Sequence, residues 1–191
     1  ATINGDLTIG GSNAITPYSG SNVFKNLTVT GNLDLSKLKI TGVSDLSSLG
    51  LGSRDNEVTD NGHKGVTVKG ELLLPTGINV DDASLKNINV GKLNLTDLIS
   101  GDTLPNGLLH NSVVGELILP ANATIVEQNT FAGSTLTKFD FSNIKTVKWY
   151  SFINSTINGN SDFSGDNVNK NSFTGATING SLNLSNATLE K

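Results

Sequence analysis

The sequence predicts a mainly β repeat solenoid: a leucine-rich-repeat-like stack of about eight rungs of roughly 22 residues, with one parallel sheet and short irregular or 3-10 connectors. Three observations predict it. The two ends nearly coincide, Thr2-Ile3-Asn4-Gly5-Asp6-Leu7-Thr8-Ile9 against Thr177-Ile178-Asn179-Gly180-Ser181-Leu182-Asn183-Leu184. Between them a pattern of β-branched residue, any, Gly, any, Leu, any, Leu recurs at Val29-Gly31-Leu33-Leu35, Val68-Gly70-Leu72-Leu74, Gly91-Leu93-Leu95 and Val113-Gly115-Leu117-Leu119, with a decayed copy at Ile157-Gly159-Phe163. Finally, a large apolar residue stands six or seven residues before six of the slot positions: Phe24, Leu85, Leu109, Phe131, Phe152 and Phe173.

Apolar residues at every second position define a strand with one buried face. Positions 5, 31, 70, 91, 115, 137, 159 and 180 mark the slot, with Thr137 standing in without a Gly, and five of the seven steps between them are 21 to 24 residues long. A strand that returns at a constant step stacks in parallel on the one before. After each strand comes a turn marked by Pro or Ser (Pro75, Pro120, Ser142, Ser185), then a connector, then the large apolar position. In the best copy Leu117, Leu119, Ile125, Phe131 and Leu136 are expected to fill the core. The one long step, 39 residues from Gly31 to Gly70, reads as an insertion loop over 39–62, with turn chemistry in its Gly50–Gly65 tail. Rungs of this length also suit a right-handed parallel β-helix, the alternative fold.

Composition narrows the function. Charged residues are 16%, below the roughly 25% of ordinary soluble domains, while the net charge is −4 with no Lys or Arg run. That removes the electrostatic footprint of a nucleic-acid binder. There is no Cys, so disulfides, thiol nucleophiles and thiolate metal sites are excluded. No apolar run is long enough to span a membrane. The matching phase of the two ends predicts that 1–191 is a single solenoid fragment of a longer protein.

The copy Glu116-Leu117-Ile118-Leu119-Pro120 through Ile125 to Asn129-Thr130-Phe131-Ala132, and the next, Lys138-Phe139-Asp140-Phe141-Ser142 through Val147 to Tyr150-Ser151-Phe152, resemble the BspA-like bacterial surface class of leucine-rich repeats. The likeness is most specific over residues 113–158; the family's usual Cys near the Phe is missing, and the Gly within the strand is unusual. The resemblance implies a secreted, cell-surface module, attached to a Gram-positive bacterial cell wall, that adheres to a host extracellular-matrix or cell-surface protein or a glycan. The residue inventory predicts no enzyme activity and no cofactor. A structural stalk or surface-layer assembly unit, with itself as partner, is the alternative.

On this reading the outward residues of the strand slot form a binding face: Glu71, Leu73, Lys92, Asn94, Glu116, Ile118, Lys138 and Asp140, with apolar Leu73 and Ile118 near its middle. Trp149 and Tyr150 are a second candidate, as a stacking pair for a sugar or a protein. Chemistry-bearing residues are sparse. His63 occupies an aromatic slot and His110 follows one; Asp55, Glu57 and Asp60 lack the spacing of a calcium loop. Asp81, Asp82, Asp162 and Asp166 read as solvated turn residues. No catalytic residue and no metal site is expected.

Overall fold

The structure is a computed structural model that describes residues 1–11, 24–39, 46–52 and 65–190. It is a mainly β parallel solenoid, the architecture both sequence readings share. Eight strands follow one another across the main sheet in chain order: Thr2–Ile3, Thr28–Val29, Thr67–Leu73, Asn89–Asn94, Val113–Ile118, Thr135–Lys138, Thr156–Ile157 and Thr177–Ile178. Every neighbouring pair is parallel. A second sheet runs through the connectors, pairing Thr103–Leu104, Ile125–Val126, Thr146–Val147, Asn167–Val168 and Thr188–Leu189 in parallel. Among the described residues the one helical element is a 3-10 turn at Leu46–Leu49.

Pairing registers define the columns of the core. One runs Ile3, Val29, Val68, Val90, Val114, Leu136, Ile157, Ile178. A second runs Leu7, Leu33, Leu72, Leu93, Leu117. The columns are four residues apart in the rung of Val29 and Leu33 but three apart in that of Val90 and Leu93, and the register slips between Val68 and Glu71 to absorb the difference. A bulge of this kind lets an unpaired residue sit in one strand without losing either column. It also corrects the expected alternation. Counted back from Gly115, Val113 falls on the inner face; in the structure Val113 is 42% exposed and Val114 is fully buried. Likewise Ile125 and Leu119 are only partly buried, and Val126 fills the core position.

The strand glycines have a steric reason. A Cβ on Gly70 would stand 2.8 Å from Gly31 O, and one on Gly91 or Gly115 would collide with the carbonyl oxygen of Lys69 or Gly91. Successive backbones approach too closely there for any side chain.

The large apolar residues Phe24, Leu85, Leu109, Phe131 and Phe152 are buried in the core, and Phe173 packs against it partly buried. Phe131, Phe152 and Phe173 stack from rung to rung with centroids 5.1 Å apart, and Phe141 and Phe163 stand beside them at 5.9 Å from one another. Offset or inclined rings at this spacing add to the area they bury. Left-handed positions flank the large residues among the described residues. Two residues after it stand Asn26, Asn87, Asn111, Gly133, Asn154 and Gly175, all with φ between 53 and 67°. Two residues before it stand Ala83, Gly107, Asn129, Tyr150 and Asn171, with φ between 55 and 62°. Gly and Asn tolerate this conformation best, so the Asn content of the chain is partly a backbone requirement. Inside the turns, buried hydroxyls take up carbonyls of the same and the preceding rung: Ser151 Oγ donates to Glu127 O at 3.0 Å and Ser172 Oγ to Lys148 O at 3.0 Å.

The chain leaves the main sheet by one of two devices. Pro75 and Pro120 end their strands directly. In other rungs a carboxylate or carboxamide accepts the backbone N–H two residues on, in the pairs Asp34–Ser36 (2.9 Å), Asn94–Thr96 (3.0 Å), Asp140–Ser142 (2.9 Å), Asp162–Ser164 (2.9 Å) and Asn183–Ser185 (3.0 Å). These are Asx-turns, in which a side chain replaces a backbone acceptor.

The region read as an insertion loop over 39–62 is not uniform. Leu46, Leu49 and Leu51 are buried in the common core; Leu46 N–H donates to Asn79 O at 2.8 Å and Val66 N–H to Leu51 O at 2.8 Å. Residues 46–52 therefore belong to the body of the stack, while 40–45 and 53–64, with His63 and the Asp55, Glu57, Asp60 group, lie outside the described residues.

Two predictions follow from the core and the turns. Phe152→Ala removes a fully buried ring touching four other phenylalanines, so it lowers the unfolding free energy by about 3 to 5 kcal/mol, and Phe173→Ala, at a partly buried position, by less; urea titration followed by circular dichroism measures both, and equal losses would contradict the packing. The second concerns pH. Hydrogen bonds from Ser36, Ser142 and Ser164 hold the carboxyls of Asp34, Asp140 and Asp162 below the usual aspartate value. The folded chain therefore binds fewer protons than the unfolded chain through the carboxylate range, and stability present at neutral pH is lost as pH falls through it. Asp34→Asn/Asp140→Asn/Asp162→Asn keeps the acceptor and removes the proton, so its melting temperature is flatter between pH 5 and 3 than that of the parent.

Candidate functional site

The eight sheet-face candidates lie in two columns. The first is set by register: Glu71 pairs with Lys92, Lys92 with Glu116, and Glu116 with Lys138. Its charges alternate in sign, and the side chains meet, Lys92 Nζ at 3.1 Å from Glu71 Oε1 and Lys138 Nζ donating to Glu116 Oε1 at 2.6 Å. The Lys138 ammonium holds the Glu116 carboxyl below its usual value. Exposed pairs of this kind contribute little stability each. Their consequence is that charge cancels along this four-rung segment of the column. On the N-terminal side the same column continues with amide and carboxylate acceptors, Glu71 N–H donating to Asn32 Oδ1 at 2.8 Å and Asn32 N–H to Asp6 Oδ1 at 2.7 Å.

The second column contains Asp34 opposite Leu73, and Asn94 opposite Ile118. Its polar members are committed to the Asx-turns just described: Asn94 also accepts the Thr96 hydroxyl at 2.7 Å, and Asp140 accepts from Ser142. Sequence reasoning took Asn94 and Asp140 as outward contact residues; the structure gives each a turn to close. Leu73 and Ile118 are different. In their rungs Pro75 and Pro120 make the turn, so the column position carries no backbone duty, and it holds an apolar residue.

Around Ile118 the face is hollow. A groove of about 320 Å³ runs between two rungs, floored by Ile118, Leu119, Pro120, Phe139 and Ile144, with the Glu116–Lys138 pair and Asp140 at its rim. A smaller one of about 150 Å³ lies beside Leu73, bounded by Glu71, Asn94, Asp97 and Leu98. The polar surround and apolar floor are on one sheet face, spread over four consecutive rungs.

Trp149 and Tyr150 are not part of this face. They sit in the turn between Thr146–Val147 of the second sheet and buried Phe152, and they are 44% and 39% exposed. The eight strand-slot residues make up the sheet face, and the stacking-pair candidate lies apart from them on a connector.

The remaining ionisable candidates have structural surroundings. His110 is half-buried, and burial, then Lys86, holds its imidazole below the ordinary value. Asp166, expected to be solvated, is buried and lies 3.2 Å from Lys145 Nζ. Asp82 accepts Asn106 N–H at 3.0 Å across rungs, and Asp162 closes a turn. Among the described residues no group of three or more His, Asp or Glu is placed to hold a metal ion.

What sequence reasoning missed are the columns whose members differ in identity: the left-handed positions, the Asx-turns and the buried hydroxyls. A signal was present, since Asp or Asn two residues before Ser or Thr recurs at 34, 94, 140, 162 and 183. Compared with known proteins, the chain matches no family model, no curated protein and no solved structure.

Proposed function

We propose that the chain is a non-enzymatic adhesion module of the BspA-like leucine-rich class, exposed on a bacterial cell surface, and that it presents the main sheet face to a host matrix or cell-surface ligand. The observation that carries the reading is the pair of columns on that face. One is charge-neutralised along the stack by Glu71, Lys92, Glu116 and Lys138. The other puts Leu73 and Ile118 beside grooves at the two rungs where proline relieves the column of its turn. Apolar anchors in a polar surround are the usual anatomy of a protein contact, and anchors dominate its affinity.

A second reading, a stalk or surface-layer unit, draws on a different observation: the main-sheet register runs from rung to rung along the whole stack, which suits a rigid spacer. Sedimentation separates the two, since assembly that grows with concentration favours the spacer unit and a monomer that binds ligand favours adhesion.

The test of the adhesion reading is binding of the chain to immobilised fibronectin, laminin and collagen and to whole epithelial cells. Saturable binding to at least one is expected, with a loss of about tenfold or more on Ile118→Asp. Absence of binding to all of them, or full binding by Ile118→Asp, would sink it.

A further inference from the structure

The connector that carries Trp149 and Tyr150 breaks the rule of its own column. At the position two residues before the core ring, the chain uses Ala83, Gly107, Asn129 and Asn171, and in one rung Tyr150, all left-handed. A bulky side chain at φ 60° is a costly choice where neighbouring rungs use Gly and Asn. The side chain is less buried than the core rings, at 39% exposed, and its hydroxyl accepts one long contact from Asn171 Nδ2 at 3.4 Å. Trp149, the chain's single tryptophan, is 44% exposed with Lys170 Nζ 5.9 Å from its ring centroid. Two large aromatic residues thus stand at adjacent positions, each partly exposed, with Lys170 over one ring and the other residue in a left-handed backbone. Strain of this kind that packing does not explain collects at binding sites.

We propose that Trp149 and Tyr150 form a platform for a saccharide ring. The face of an aromatic ring is electron-rich, and the C–H face of a pyranose, which carries partial positive charge, stacks on it. Hydroxyls around the sugar's edge then need hydrogen-bonding groups beside the platform. The step of 21 residues puts Gln128 and Asn129 at the equivalent positions one rung before, and Lys170 and Asn171 one rung after. A protein hot spot has an apolar centre ringed by contacts that exclude water. Here the rings are flanked by amides and an ammonium, which suits a polyhydroxylated ligand. This site lies on the connectors and not on the main sheet, so it goes beyond the adhesion reading and each can fail alone.

Because Trp149 is the only tryptophan, its emission reports on the platform directly. The intact chain is titrated with cellohexaose, mannohexaose and the hexamer of N-acetylglucosamine, with calorimetry in parallel. At least one is expected to change the emission saturably and to bind more tightly than its disaccharide. Trp149→Ala is expected to abolish the heat of binding. Tyr150→Asn, which matches the column, is expected to weaken binding at least tenfold while raising the melting temperature by about 2 to 4 °C. That opposite movement of affinity and stability is what a merely structural tyrosine would not produce. The proposal is overturned if none of the three oligosaccharides binds, if Trp149→Ala still binds, if Tyr150→Asn binds as tightly as the parent, if Tyr150→Asn lowers the melting temperature, or if Ile118→Asp removes saccharide binding while Trp149→Ala retains it.

Discussion

Parallel stacking of one turn of chain on the next is the constraint on which everything else here depends. A strand of two residues, such as Thr156–Ile157, has no stability by itself; it exists because Thr135–Leu136 lies on one side and Thr177–Ile178 on the other. The consequence is that a residue is selected by its column as much as by its neighbours in sequence. Each column asks for one property: a β-branched or leucine core residue, a missing Cβ where backbones touch, a left-handed backbone on each side of the large core residue, an acceptor that closes a turn. Identity varies freely within a column as long as the property is kept, so Asn and Gly alternate at the left-handed positions and Pro substitutes for the Asx-turn.

That logic separates residues that serve the stack from residues that do not. Asn94, Asp140 and Asp162 are outward-facing and polar, yet each makes a turn, which ties the residue to Asx wherever no proline follows. Glu71, Lys92, Glu116 and Lys138 neutralise one another at adjacent rungs, and with like charges one above another the same column would repel. By contrast Leu73, Ile118, Trp149 and Tyr150 meet no requirement of their columns. Ile118 and Leu73 occupy positions that proline has released, and Tyr150 occupies one that its size makes unfavourable.

The rung, the parallel sheet and the large apolar ladder were legible in the sequence because each rests on a property that one residue type reports: leucine spacing, the recurrent Gly, the recurrent Phe. The inner partner of that Gly was misread. Counting in twos from Gly115 leads to Val113, but the strand is shorter by one residue in the rungs of Val90 and Val114 than in those of Val29 and Val68, and a bulge is invisible to a period-two count. The same limit hid the second sheet, whose two-residue strands are too short to show a period. The insertion misled for a different reason: its Gly-rich tail is turn-like, but Leu46, Leu49 and Leu51 complete the core without repeating any motif. Of the candidate site, the sheet face was legible from alternation, while its division into turn-forming and unburdened residues depended on hydrogen bonds that only the folded chain displays.

Where a repeat departs from its own rule is therefore the most informative place to look for function. In a globular domain an exposed tryptophan or isoleucine is unremarkable, since much of any surface is apolar. A solenoid supplies its own control, because the equivalent position recurs in neighbouring rungs under the same backbone geometry. Gln128, Trp149 and Lys170 stand in one such series, and Asn129, Tyr150 and Asn171 in the next. The rungs on either side fold with small or polar residues there, so stacking does not demand the aromatic pair. Both departures, on the sheet at Ile118 and on the connector at Trp149 and Tyr150, fall between residues 113 and 157, where Phe131 and Phe152 stack on one another in the core. Partly exposed side chains mounted on a packed core lose little further freedom on binding, and that is the condition under which a few of them yield useful affinity.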